Sequence, residues 1–93
     1  MKPSVMITYC VGCNWLLRAG WMAQELLSTF KNDLVGVTIA PAVVPGTYKV
    51  TVNDTEIWDR KRDGGFPEAK ELKKRLRDVI EPDRDLGHLD RSS

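Results

Sequence analysis

The spacing of apolar residues along the chain predicts strands and helices in alternation. Ser4–Tyr9 is rich in β-branched residues and places Val5 and Ile7 on one face, and Val35–Ala40 repeats that alternation. Between them, from about Val11 to Phe30, apolar residues recur every three or four positions and form the stripe of an amphipathic helix. A strand–helix–strand unit closes right-handed with its strands parallel, so this order restricts the fold strongly.

The clearest local signal is a β-hairpin in the second half of the chain. Thr47–Val52 alternates strictly, Asn53–Asp54 suits a tight turn, and Thr55–Asp59 returns. A two-residue loop predicts a register with Val52 opposite Thr55, Val50 opposite Ile57 and Lys49 opposite Trp58. That register sends Trp58 to the face away from the helices. Two roles fit it there: contact with a partner or a second copy of the chain, or a cover over Met6.

A second helix is predicted after a polar loop at Arg60–Gly65. Pro67–Ile80 fits this helix, since proline suits a first helical position. The order β-α-β-β-β-α then allows the apolar faces of four strands to meet one layer of helices. The sequence therefore predicts an α/β two-layer sandwich, with a four-stranded mixed sheet and two helices on one face. We expect a single domain over residues 1–82 and a polar C-terminal tail over residues 83–93.

Composition and charge exclude several classes of protein. The chain has 93 residues with 14 basic and 13 acidic side chains, a net charge of +1. This balance argues against a nucleic-acid partner, because proteins that bind nucleic acids usually carry a strongly basic surface. No apolar run approaches the roughly 18 residues of a membrane span, and no signal-peptide pattern is present. The expected location is cytoplasmic, with no membrane partner.

Two cysteines, Cys10 and Cys13, carry the chemical signal. A bridge between them closes a four-residue loop, which by chain entropy contributes only about 2 kcal/mol and is therefore a poor staple. They lie where the first strand passes into the first helix, and the positive end of a helix favours a thiolate over a thiol. Gly12 between them suits a tight backbone. One cysteine can attack a disulfide and the other can resolve the mixed intermediate.

Other uses of a CxxC pair are less well supported. A tetrahedral zinc site needs four ligands, and only His88 remains to complete one. Two thiolates also suit a Cu(I) carrier, but such carriers end on a strand, and a Met usually stands at the position of Thr8. Two inert core thiols are a further alternative. No metal and no cofactor is predicted.

Three separated motifs resemble the selenoprotein W-like (SelT/SelW/SelH, Rdx) family. They are Tyr9–Trp15, Ile57–Arg62 and Asp63–Pro67, and the resemblance covers about residues 4 to 85. It implies a thioredoxin-like fold and a redox role linked to glutathione or thioredoxin systems. The implied partners are protein or glutathione thiols and disulfides. A non-catalytic module that binds a partner according to its redox state is the alternative, so enzymatic activity stays open.

The resemblance leaves the attacking cysteine undecided, and the working hypothesis is that Cys10 attacks and Cys13 resolves, with the reverse assignment open. Family members with selenocysteine carry it at the position of Cys13, whereas thioredoxins attack with the first cysteine, here Cys10, as the more exposed of the two. Thioredoxins also place a cis-proline before the hairpin, and Pro45 is the candidate. Trp15, two residues beyond the pair, is expected to shield a thiol or contact a partner, as Trp58 is expected to do from the open face.

Overall fold

The computed structural model describes residues 2–81. The secondary-structure elements in that range are β1 (Ser4–Tyr9), α1 (Leu16–Phe30), β2 (Gly36–Pro41), β3 (Tyr48–Val52), β4 (Thr55–Asp59), α2 (Arg60–Asp63) and α3 (Ala69–Ile80). The strands form one mixed sheet in the order β2-β1-β3-β4. Strand β1 runs parallel to β2 and antiparallel to β3, and β3 pairs antiparallel with β4. The predicted α/β class with a four-stranded mixed sheet is confirmed, as is the predicted order β-α-β-β-β-α along the chain, to which the structure adds the short helix α2.

The core lies between one face of the sheet and the two long helices. Alternate residues of β1 and β3 point into it, as their buried–exposed patterns show. Its fully buried members are Val5, Ile7, Ala19, Met22, Leu26, Phe30, Tyr48, Val50, Val52, Leu72 and Leu76. A buried ion pair also joins the helices, with Lys73 Nζ of α3 3.2 Å from Glu25 Oε1 of α1. In the β1–α1–β2 unit, the start of α1 lies at the same end of the sheet as the end of β1.

The predicted hairpin forms, but a β-bulge changes its register. Asn53 takes a left-handed φ of 53° in the turn, and Val52 faces Thr55 as expected. Beyond the turn an extra residue in β4 shifts the pairing, so Val50 faces Trp58 rather than Ile57. The prediction that Trp58 lies on the open face is therefore wrong: it is 7% exposed and belongs to the core.

A short helix replaces the predicted polar loop after the hairpin. Asp59 caps α2 by accepting a hydrogen bond from Lys61 N at 3.0 Å, and Gly64 ends it in the left-handed conformation. Asp63 accepts a hydrogen bond from Asp59 N at 2.9 Å. That bond, with Arg62 and Arg75 adding to it, lowers the pKa of Asp63 to about 2. Local side-chain capping thus explains a helix that has no apolar stripe.

Other element boundaries also differ from the sequence expectation. Helix α1 begins at Leu16 rather than near Val11, so the cysteine pair lies before the helix. Helix α3 begins at Ala69, and Pro67 precedes it as a buried residue. Strand β2 extends through Pro41.

The single-domain boundary at residue 82 stays a prediction, and the predicted tail over 83–93 lies outside the described residues. Within residues 2–81, no helix has the length and hydrophobicity needed to cross a membrane.

Candidate functional site

Cys10 and Cys13 form a disulfide in the turn between β1 and α1. Their Cα atoms are 5.4 Å apart, and Asn14 N donates to Val11 O at 3.1 Å to close the turn. The left-handed residue is Asn14, with φ of 60°, rather than Gly12. A Cβ added to Gly12 would meet no atom within 4 Å in the described chain. The pair therefore depends on the Asn14 turn, and glycine at position 12 is not sterically required.

The two cysteines differ in their access to solvent. Cys10 is 4% exposed, whereas Cys13 is half-buried. The expectation that Cys10 is the more exposed thiol is therefore wrong. Cys10 directly follows Tyr9, the last residue of β1, whereas Cys13 lies further along the turn toward α1.

The charge around the turn is positive. Trp15 stands at the N-cap of α1 and makes no side-chain capping bond, and the first turn of the helix contains no acidic residue. Arg18 lies in that first turn. The unsatisfied N–H groups of the helix end and this guanidinium both favour a negative sulfur in the reduced protein.

An aromatic cluster made of Trp15, Phe66 and Tyr48 lies beside the turn. Trp15 meets Phe66 edge to face with ring centroids 4.8 Å apart, and Tyr48 meets Phe66 in the same way at 5.1 Å. Arg18 lies over the Phe66 ring at 4.0 Å, and Arg60 lies over the Trp15 ring at 5.1 Å. The cluster joins α1, β3 and the loop before α3.

Tyr48 contributes a buried hydroxyl to this cluster. The residue is 0% exposed, and its Oη has no hydrogen-bond partner in the described chain. Burial raises the pKa of Tyr48 to about 12, although the nearby charge of Arg18 acts in the opposite direction. Tyr48 also faces Tyr9 across the β1–β3 pair, so it lies opposite the residue that directly precedes Cys10.

Apolar side chains surround the turn on its open side. A cleft of about 410 Å³ is lined by Tyr9, Val11, Asn14, Leu16 and Leu17. Leu17 is 85% exposed at its rim. The loop after β2 lies at the same end of the sheet, because Ala42 N donates to Tyr9 O at 2.8 Å. It exposes two more valines, Val43 and Val44.

Trp58 and Pro45, the other two residues expected at the site, do not have the expected roles there. Trp58 Nε1 donates to Gly65 O at 3.0 Å, and Arg75 stacks on its ring at 4.4 Å. It is therefore a core residue rather than a contact on the open face. Pro45 is exposed in the β2–β3 loop, and the peptide bonds of residues 2–81 are all trans. The cis-proline for which Pro45 is the candidate is thus not found there.

Sequence reasoning missed Arg18, Arg60 and Phe66 as neighbours of the dithiol. Arg60 falls in the predicted polar loop Arg60–Gly65, and Phe66 lies just before the predicted last helix. The available signal was that both lie in the second and third motifs of the family resemblance. Across residues 2–81, no three His, Cys, Asp or Glu side chains group closely enough to hold a metal ion.

The four-stranded mixed sheet, with a CxxC pair between its first strand and first long helix, defines an α/β protein whose topology is compatible with a thioredoxin-like fold. The chain belongs to the Rdx family, whose model matches residues 4–78. The resemblance drawn from the three motifs is thereby confirmed.

Solved structures support the same assignment. A crystal structure of a protein from Bordetella parapertussis is similar with a TM-score of 0.83 and 52% identity, covering 86% of this chain and 100% of that one. A selenoprotein W-related protein from Vibrio cholerae is similar with a TM-score of 0.83 and 46% identity, covering 87% and 100%. No curated protein matches the chain.

Proposed function

We propose that this protein is a thiol–disulfide oxidoreductase in which Cys13 attacks the substrate and Cys10 resolves the intermediate. The observation that carries the proposal is the Cys10–Cys13 disulfide with its unequal burial, 4% exposure at Cys10 against a half-buried Cys13. An incoming disulfide can reach Cys13 from solvent. A substrate sulfur attached to Cys13 is then close to Cys10, the residue that forms the disulfide with Cys13.

The exchange balances in two steps. In the reduced protein the Cys13 thiolate attacks one sulfur of a substrate disulfide, a new S–S bond forms, and the other substrate sulfur leaves as a thiolate that takes up a proton. Cys10 then loses its proton and attacks the Cys13 sulfur, which releases the second substrate thiolate and forms the Cys10–Cys13 disulfide. Two protein thiols are oxidised and one substrate disulfide is reduced to two thiols.

Return to the dithiol requires an external thiol reductant of the glutathione or thioredoxin class. The proposal therefore includes a cytoplasmic location, where such reductants keep thiols reduced. The positive start of α1, with Arg18 in its first turn, supports attack by stabilising the Cys13 thiolate.

Two single variants test the assignment of roles. Cys10→Ser leaves the attacking thiol without a resolving partner, so we expect it to accumulate a mixed disulfide with oxidised glutathione, detected by intact mass. Cys13→Ser should accumulate far less, because the remaining thiol is buried. Wild type should instead form the Cys10–Cys13 disulfide across a glutathione redox titration.

The contrary results are distinct. If Cys13→Ser traps the mixed disulfide and Cys10→Ser does not, the two roles are reversed. If wild type forms no intramolecular disulfide at any accessible ratio of oxidised to reduced glutathione, the oxidoreductase proposal fails.

A further inference from the structure

The arginines of the described chain fall into two groups. Three of them pair with carboxylates: Arg62 with Glu56 and Asp63, Arg75 with Asp63 and Glu71, and Arg77 with Asp78. Arg18 and Arg60 have no carboxylate within 4.0 Å among residues 2–81. Both lie at the end of the molecule that carries the dithiol, and neither forms a salt bridge with the residues described there.

Aromatic rings hold these two guanidiniums in place. Arg18 Cζ lies 4.0 Å from the centroid of Phe66, and Arg60 Cζ lies 5.1 Å from that of Trp15. The two rings touch each other at 4.8 Å. Arg60 Nε also donates to Gly46 O at 3.1 Å. A guanidinium stacked on a ring keeps N–H donors at its edge, and those donors match the two oxygens of a carboxylate.

Backbone connections place these two guanidiniums at the same end of the molecule as the disulfide. Trp15 follows Cys13 by two residues, so their Cα atoms are separated by at most about 7 Å. Arg18 lies in the first turn of α1, which directly follows. Arg60 is bonded to the β2–β3 loop, which is itself bonded through Ala42 to Tyr9, the neighbour of Cys10.

We infer that Arg18 and Arg60 select disulfide substrates that carry a carboxylate close to the reacting sulfur. The inference rests on the proposed exchange at Cys13 and adds its substrate class. A carboxylate a few bonds from the sulfur would meet one or both guanidiniums while the sulfur meets Cys13. A cationic disulfide would be repelled from the same position.

Rates with three small disulfides test this selection. The probes are 3,3′-dithiodipropionate, which is anionic, 2-hydroxyethyl disulfide, which is neutral, and cystamine, which is cationic. At low ionic strength we expect the second-order rate constant of reduced wild type to be about tenfold higher for the anionic than for the neutral probe, the lower end of rate gains from charged clefts. Cystamine should be slower still, and concentrated salt should compress the differences.

Variants assign the effect to the two side chains. In the Arg18→Gln/Arg60→Gln double variant the ratio of anionic to neutral rate should fall toward one. Arg18→Lys should keep most of the ratio because it keeps the charge. Arg62→Gln removes a single arginine charge that is already paired, and should leave the ratio unchanged. A peptide disulfide with glutamates beside its cysteine should also react faster than its glutamine counterpart, and equal rates would count against selection of a carboxylate near the sulfur.

The results separate this inference from the proposed function. If the neutral disulfide reacts as fast as the anionic one with wild type, the exchange stands and the selection is refuted. The selection is also refuted if the double variant keeps the ratio, or if Arg62→Gln lowers it equally. If no probe of any charge reacts, the exchange itself fails and the selection with it.

Discussion

The buried hydroxyl of Tyr48 predicts a substitution that stabilises the protein. Tyr48 is 0% exposed and its Oη has no partner in the described chain, while its ring packs on Phe66 at 5.1 Å. Burying an unpaired hydroxyl costs about 1–3 kcal/mol in proteins. Tyr48→Phe removes that cost and keeps the ring contact. We expect the free energy of unfolding to rise by about 1 kcal/mol, the low end of that range.

Urea denaturation at neutral pH, with the disulfide intact, measures this change directly. In a domain of this size about 1 kcal/mol corresponds to a rise in Tm of roughly 4–8 °C. Tyr9→Phe is the matched control, because Tyr9 faces Tyr48 across the sheet but is only half-buried. It should leave stability almost unchanged. An unchanged or lower stability of Tyr48→Phe would refute the reasoning, since the hydroxyl must then have a partner.

Alkaline pH gives a second measurement on the same variant. The pKa of Tyr48 is about 12 in the folded protein, above the ordinary 10.0. Between these values the unfolded chain releases the phenol proton and the folded chain retains it, so the wild type loses stability as pH rises from 10 to 12. Tyr48→Phe lacks this loss. The stability difference between the two proteins should therefore widen at alkaline pH.

Three further predictions concern the dithiol and two ion pairs. Reduction of Cys10–Cys13 should lower the free energy of unfolding by only about 2 kcal/mol, so the circular dichroism of the fold should survive dithiothreitol; unfolding on reduction would contradict this. Glu25→Gln leaves the buried charge of Lys73 without this carboxylate and should cost about 2 kcal/mol in urea denaturation, less than a fully buried pair because Glu25 is 22% exposed. An equal loss in Glu71→Gln, whose carboxylate is 50% exposed, would argue against that reasoning. Asp63, with its pKa lowered from 3.8 to about 2, contributes stability above pH 4 that is lost as pH falls through 2. Asp63→Asn should flatten acid unfolding over that range, and an acid profile like that of the wild type would count against it.

The parts of the fold that the sequence predicts well are those decided by neighbouring residues. Strand β1 has the predicted bounds Ser4–Tyr9, and the hairpin turn falls at Asn53, which takes a positive φ. Alternation and turn chemistry act over a few residues, so they can be read without knowing the rest of the molecule.

The bulge in β4 could not be predicted in that way. Strict alternation sends Trp58 outward, but burial of its large ring, its hydrogen bond to Gly65 and its contact with Arg75 favour the inward position. These partners come from later parts of the chain. Tertiary contacts thus overrode the local pattern at one residue, and the expected aromatic contact on the open face was lost. A homodimer through the open face stays a prediction, but Trp58 is not available there as a contact.

The candidate site divides in the same manner. The cysteine pair and Trp15 lie within one stretch of six residues, and the spacing of the cysteines alone indicated dithiol chemistry. Arg60, at the start of α2, and Phe66, in the loop before α3, come some fifty residues later, and only packing brings them to this end of the molecule. The exposure of the two thiols also depends on what packs around the turn in the folded chain, so it could not be read from spacing.

The late start of α1 has a consequence for engineering this protein. Because the helix begins at Leu16, the turn that holds Cys10 and Cys13 is a short insert between two regular elements. It contributes little to the core beyond Cys10 itself. The dipeptide Val11–Gly12 is exposed, and position 12 has room for a side chain. Libraries restricted to those two positions could therefore vary the redox potential of the dithiol while the same scaffold is kept around it.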